Sequence, residues 1–144
     1  MESEAISDDQ IKASSELDDN HSAQQARLHF VISGYKRGGW SALRNDLNQW
    51  LQVDLGSYTK VTRVATQGRN AFNEWVTKYR LQYSDDGVTF DLYKEAANSS
   101  AKVWPFLKIK SSYLIGQETV TAECRNKASI NNTLRNYTFR GVVI

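Results

Sequence analysis

The chain of 144 residues carries 18 Lys and Arg against 16 Asp and Glu, with 40% hydrophobic and 24% charged residues. That is one domain's worth of chain, long enough to bury a core unaided, and its lack of long like-charge blocks argues against nucleic acid as a partner. The single cysteine, Cys124, excludes a disulfide within the chain, and no apolar run approaches the roughly 20 residues of a membrane span. Met1-Glu2-Ser3-Glu4 opens acidic with no apolar stretch behind it, so no signal peptide is read here.

Residues 4–15 read as a short extended lead-in carrying Ala5, Ile6, Ile11 and Ala13, and residues 16–22 as an exposed polar loop. Residues 26–32 are apolar enough to return to the core, with His29 on a strand between Leu28 and Phe30. A second loop at 33–39 holds three glycines in seven residues, and Trp40 closes it.

Two strands joined by Gly56-Ser57 follow. In the first, Leu51, Val53 and Leu55 alternate with Trp50, Gln52 and Asp54; the second, at 60–66, is rich in Val and Thr. A third loop or hairpin tip spans 68–74. Residues 75–84 predict a strand, Ser84-Asp85-Asp86-Gly87 a hairpin turn, and 88–93 the returning strand. Farther on, 106–109, 113–115, 119–122 and 137–144 are strand-like in composition. Short strands at turn-punctuated spacing make the class all-β, a sandwich.

Several ordered motifs carry a family resemblance. They are Ile6, Asp8 and Gln10-Ile11 with Ala13-Ser14-Ser15; Ala26-Arg27-Leu28; Gly39-Trp40-Ser41; Asn45-Asp46 leading into 49–56; Thr66-Gln67-Gly68-Arg69; Trp75-Val76; and Tyr83-Ser84-Asp85-Asp86-Gly87. Together they resemble the discoidin domain, the coagulation factor five/eight type C domain of the galactose-binding-like superfamily, over residues 2–105. The resemblance implies a jelly-roll β-sandwich of about eight strands.

Residues 106–144 depart from the pattern and read as a divergent tail. One reading is substitute strands in a divergent member. The favoured reading is a truncated or alternatively spliced product starting at an internal methionine, with its closing strands missing or replaced. Missing strands would leave unpaired sheet edges and an open core.

The resemblance places the binding surface on loops at one end of the sandwich, here 16–22, 33–39 and 69–74. Within them Tyr35, Lys36, Arg37, Arg69 and Phe72 are the candidate ligand contacts, with Leu17 and Asn20 beside them. Cationic side chains suit anionic head groups or sulfated sugars, and aromatic faces stack on sugar rings. The plainer alternatives are a solvated Lys-Arg pair and a Phe72 folded onto its own hairpin. Trp40, Trp50 and Trp75 fall where the family packs the base of its loops.

Glu16, Asp18 and Asp19 offer oxygen ligands for calcium, but their spacing fits no known calcium loop; neither metal nor cofactor is expected. Asn20, Asn98, Asn131 and Asn136 head N-glycosylation tripeptides. His21, in a loop read as mobile, and His29 lack the partners of a catalytic site, and no nucleophile elbow, phosphate loop or zinc spacing appears.

The reading is therefore a non-enzymatic extracellular binding and cell-adhesion module for a glycan or protein ligand. The location comes from the resemblance and conflicts with the missing signal peptide. Alternatives are an anionic phospholipid-binding module, an accessory carbohydrate-binding module of a larger enzyme, and a non-functional truncated product. The loop charges sum to about one negative and Phe72 is the one large apolar tip counted, which weighs against an anionic bilayer.

Overall fold

The computed structural model describes residues 6–57, 59–69, 72, 74–76 and 78–94, together with the backbones of strands at 103–105, 115–124, 127–134 and 140–143. After a 3-10 turn at Asp8–Gln10 comes β1 (Ile11–Ala13), then two further 3-10 turns at Asp19–His21 and Ala23–Ala26. The remaining strands are β2 (Trp50–Asp54), β3 (Thr59–Gln67), β4 (Lys78–Ser84), β5 (Asp91–Leu92), β6 (Val103–Pro105), β7 (Ile115–Cys124), β8 (Lys127–Leu134) and β9 (Arg140–Val143).

β2 alternates half-buried and buried positions along its length, and Leu51 and Val53 are both 2% exposed. That is the period-two pattern of a strand with one face on the core. The strand pairs antiparallel with β1 on one side (Ile11 opposite Val53) and with β8 on the other (Val53 opposite Ala128). β8 also pairs with β4, so the first sheet runs β1-β2-β8-β4-β5, with β6 alongside the start of β4. The second sheet runs β7-β3-β9.

The Gly56-Ser57 break thus passes the chain from one sheet to the other. β2 and β3 are consecutive strands but do not pair with each other. β3 also carries an irregularity that simple alternation misses. Val61 and Val64 both join the core, although strict alternation would set them on opposite faces. A register shift between Val61 and Arg63, against β7, turns the strand so that both reach it.

The core joins these two valines to Ile11, Leu51, Val53, Tyr79 and Leu81 of the first sheet, with Ala23, Ala26, Trp40 and Val76 from the connecting segments. Leu55 and Tyr83 pack against it half-buried.

Two expectations change. Residues 26–32 do not form a strand: Ala26 and Leu28 are buried, but His29 adopts φ 58 and Val31 and Ile32 are exposed. A left-handed residue reverses the chain and carries the following apolar pair out to solvent. His21 is not in a loose loop; it is buried within the second 3-10 turn. The described residues of the tail form β7, β8 and β9, and β8 lies between β2 and β4.

Candidate functional site

The loop end is assembled by hydrogen bonds between segments distant in sequence. The Leu17 N–H donates to the Ser41 carbonyl (2.8 Å), and the Ser41 N–H donates to the His21 carbonyl (3.2 Å). From the second loop, the Arg37 N–H donates to the Asn20 carbonyl (3.0 Å) and the Gly38 N–H to Gln25 Oε1 (3.2 Å). Arg69 Nε of the third loop then donates to the Arg37 carbonyl (2.8 Å). Arg37 is therefore bonded through its own peptide groups to both neighbouring loops.

The tip of the second loop is a tight turn. Ser33 and Lys36 exchange backbone hydrogen bonds in both directions (3.0 and 3.3 Å), with Gly34 and Tyr35 between them. Gly34 has φ +58 at the first central position, a conformation costly for any residue with a Cβ, and this pushes Tyr35 out to 86% exposure. Gly68 answers a different constraint: a Cβ there would stand 3.2 Å from both the Glu74 carbonyl oxygen and Trp75 Cβ.

Arg69 has a role that its position in a loop conceals. Its side chain is only 7% exposed, and Nη1 meets Glu74 Oε2 at 2.6 Å while the Arg69 N–H donates to the Glu74 carbonyl at 2.8 Å. The guanidinium also lies 4.0 Å from the centre of the Phe72 ring, a cation–π distance. Through Nε and Nη1, Arg69 ties the loops together. Phe72 is held by that contact yet remains 47% exposed.

The other candidates divide. Asn20 lends its carbonyl to the frame, and Leu17 stands exposed beside Ser41. Lys36 turns away to the flank, where its ammonium lies 5.5 Å from the Phe30 ring centre. Trp40 is buried and donates through Nε1 to the Ser15 carbonyl (2.8 Å). Asn131 lies within β8, whereas Asn98 and Asn136 fall outside the described residues.

The loop carboxylates serve the same frame. Glu16 Oε1 accepts from the Ala23 N–H (2.7 Å), and Asp18 Oδ1 accepts from the Asn20 N–H (2.9 Å) and faces His21 Nδ1 at 2.7 Å. The hydrogen bond with the His21 ring holds the Asp18 carboxyl below the ordinary aspartate value. Among the described residues, no group of three or more His, Cys, Asp or Glu is placed to hold a metal ion.

Buried glutamines are what sequence reasoning missed. Gln25 caps the second loop. Gln49 accepts through Oε1 from Ser14 Oγ and Ser15 Oγ (2.8 and 2.6 Å) and donates to Asp46 (2.8 Å), fastening β1 to the segment before β2. Gln49 falls within the 49–56 family motif, whereas no motif marked Gln25.

A two-sheet β-sandwich that gathers three distant loops at one end defines a loop-presenting binding module. The F5/8 type C domain model matches residues 10–115, and the chain belongs to that family. The match starts later and ends later than the 2–105 stretch read from the motifs.

Lactadherin of Bos taurus is 43% identical over 72 residues, which make up 49% of this chain and 17% of lactadherin. Among solved structures, discoidin II from Dictyostelium discoideum superposes with a TM-score of 0.77 at 21% identity, covering 90% of this chain and 51% of that one. The family 32 CBM from C. perfringens NanJ, solved in complex with galactose, gives 0.63 at 20% identity over 92% of this chain and 89% of its own. The chain thus spans about half of discoidin II and a smaller part of lactadherin. No helix among the described residues is long and apolar enough to cross a membrane.

Proposed function

We propose that the chain acts as an extracellular binding and adhesion module that captures a glycan or protein ligand through loops 16–22, 33–39 and 69–74. The observation that supports this most is the bonding of Arg37 to both neighbouring loops, by its N–H to Asn20 and by its carbonyl to Arg69. A face fixed before binding loses little conformational freedom when a ligand arrives. Tyr35, Arg37 and Phe72 are the contact groups, Leu17 and Asn20 lie beside them, and Arg69 is a positioning residue. Tyr35 and Phe72 offer aromatic surface for a sugar ring, and Arg37 offers donors to hydroxyl or acidic groups.

A phospholipid surface is the second reading, and one observation favours it. Phe72 is not the sole exposed apolar group near the loops, because Leu17, Val31, Ile32 and Tyr35 are also exposed. The glycan or protein reading is preferred because the loops still carry Glu16, Asp18 and Asp19 against Lys36 and Arg37.

A glycan array and a vesicle pull-down, run on the wild type, Phe72→Ala and Arg37→Ala, test the choice. Glycan binding weakened in both variants, with no binding to phosphatidylserine vesicles, is the expected result. Vesicle binding that depends on Phe72 would transfer the assignment to lipid, and equal binding by all three proteins would remove the loop face from the account.

A further inference from the structure

Beside the second loop lies a cavity of about 510 Å³ lined by Asp8, Ser22, Gln25, Arg27, Phe30 and Lys36, among others, and by neither Tyr35 nor Phe72. Its size falls within the roughly 300–1,000 Å³ of small-molecule sites. The lining combines one apolar group, Phe30, with donors on Gln25, Arg27 and Lys36. We propose that this cavity is a separate subsite for a monosaccharide bearing a carboxylate, such as a hexuronic acid. The carboxylate would sit between Arg27 and Lys36, with the sugar ring against Phe30.

The geometry of the donors carries the inference. The Arg27 side chain is 19% exposed and fixed by Nη2, which donates to the Ile6 carbonyl (2.8 Å) and to Asp8 Oδ1 (2.6 Å). No hydrogen bond among the described residues uses its Nε or Nη1, so part of a rigid, carboxylate-matching fork remains available.

Gln25 is 2% exposed and pinned by its Oε1 under the Gly38 N–H. Its Nε2 makes only contacts at 3.5 Å, to the Asp19 carbonyl and Ser22 Oγ, at the outer limit for a hydrogen bond. That amide would exchange one of these two long bonds for a shorter one to a sugar hydroxyl. Lys36 places its ammonium over Phe30 without an anionic partner among the described residues.

Charge selects the ligand further. Arg27 and Lys36 outnumber Asp8 by one, so a singly charged acid balances the site. A neutral sugar leaves a cation unpaired. A ligand at the three-loop face is not required, because Tyr35, Arg37 and Phe72 do not line the cavity, although Ser22 and Lys36 belong to loops 16–22 and 33–39.

Titration of the folded chain with sodium glucuronate, followed by amide NMR, tests this, with glucose and sodium sulfate as controls. Saturable shifts of the Gln25 side-chain amide and of the Arg27 and Lys36 backbone amides are expected, with glucose about tenfold weaker or worse. Lys36→Gln should weaken the acid several-fold. Asp8→Asn should tighten it several-fold, because it removes the competing carboxylate; a merely structural Asp8 would weaken it. No saturable shift, equal response to glucose or to sulfate, or weaker binding in Asp8→Asn would overturn the proposal. Shifts confined to 16–22 and 69–74 would overturn it too, while leaving the loop-face reading standing.

Discussion

The loop end and the hairpin turn after β4 are both made of polar side chains bonded to backbone, yet they are built on opposite principles. In the turn, Asp86 Oδ1 accepts from the Val88 and Thr89 N–H groups (2.8 Å each) and from Ser84 Oγ (2.9 Å), and the Gly87 N–H donates to Ser84 Oγ (2.8 Å). Every partner lies within three residues. At the loop end, Gln25 reaches Gly38 across 13 positions, Arg69 reaches Arg37 across 32, and the His29 N–H reaches Gln67 Oε1 across 38. A local turn forms whenever its few residues meet. A long-range frame exists only once both sheets have brought its parts together, so its integrity tracks that of the whole fold.

The sharpest way to break this contrast is Arg69→Ala. It removes the Arg69 hydrogen bonds to Glu74 Oε2 and to the Arg37 carbonyl, and should cost about 3 kcal/mol in urea unfolding. Amide exchange should quicken at residues 16–22 and 33–39, while 84–89 is unchanged. Val53→Ala acts on the shared core instead. It should cost about 2 kcal/mol through lost burial and residual cavity, and shorten protection in both regions together. Loss confined to one region would show that the two do not share that core.

Asp86 tests the local turn alone. Hydrogen bonds from the Thr89 and Val88 backbone, and then from Ser84, favour its ionised form and lower its pKa from 3.8 to about 2. A carboxyl depressed in the folded state contributes stability above its unfolded value and loses it as pH falls through the folded one. The difference in melting temperature between wild type and Asp86→Asn should therefore be constant well above 3.8 and close as pH drops towards about 2. A gap that persists unchanged at the acid end would detach the turn's stability from that carboxylate. The smallest stability effect belongs to Phe72→Ala, within about 0.5 kcal/mol as for most exposed positions. Ligand binding is where that variant should show its loss.

What could be read from the chain beforehand follows the same division. The alternation through β2 and the Ser84–Gly87 turn were legible because each depends on neighbours a few residues apart. That β2 and β3 enter different sheets was not, since a Gly-Ser break looks alike within a sheet and between two. Apolar composition misled at Val31 and Ile32, because nothing local announces the left-handed His29. The three loops followed from the family motifs, but the inward turn of Arg69 did not. Its partners are Glu74, five residues on, and a carbonyl 32 residues back. Gln25, just before the stretch read as apolar, and Arg27, within it, gave no sign of the cavity they line.

The place of β8 bears on how the protein is made. During synthesis, β2 and β4 leave the ribosome long before residues 127–134, at roughly 5–20 residues per second. Until then the first sheet is two separate pieces, each with a bare edge where β8 will lie, as the facing registers Trp50 with Asn131 and Arg80 with Asn131 require. The nascent chain must wait several seconds with those edges open, within reach of other chains on the same message, before one late strand zips both halves into a sheet.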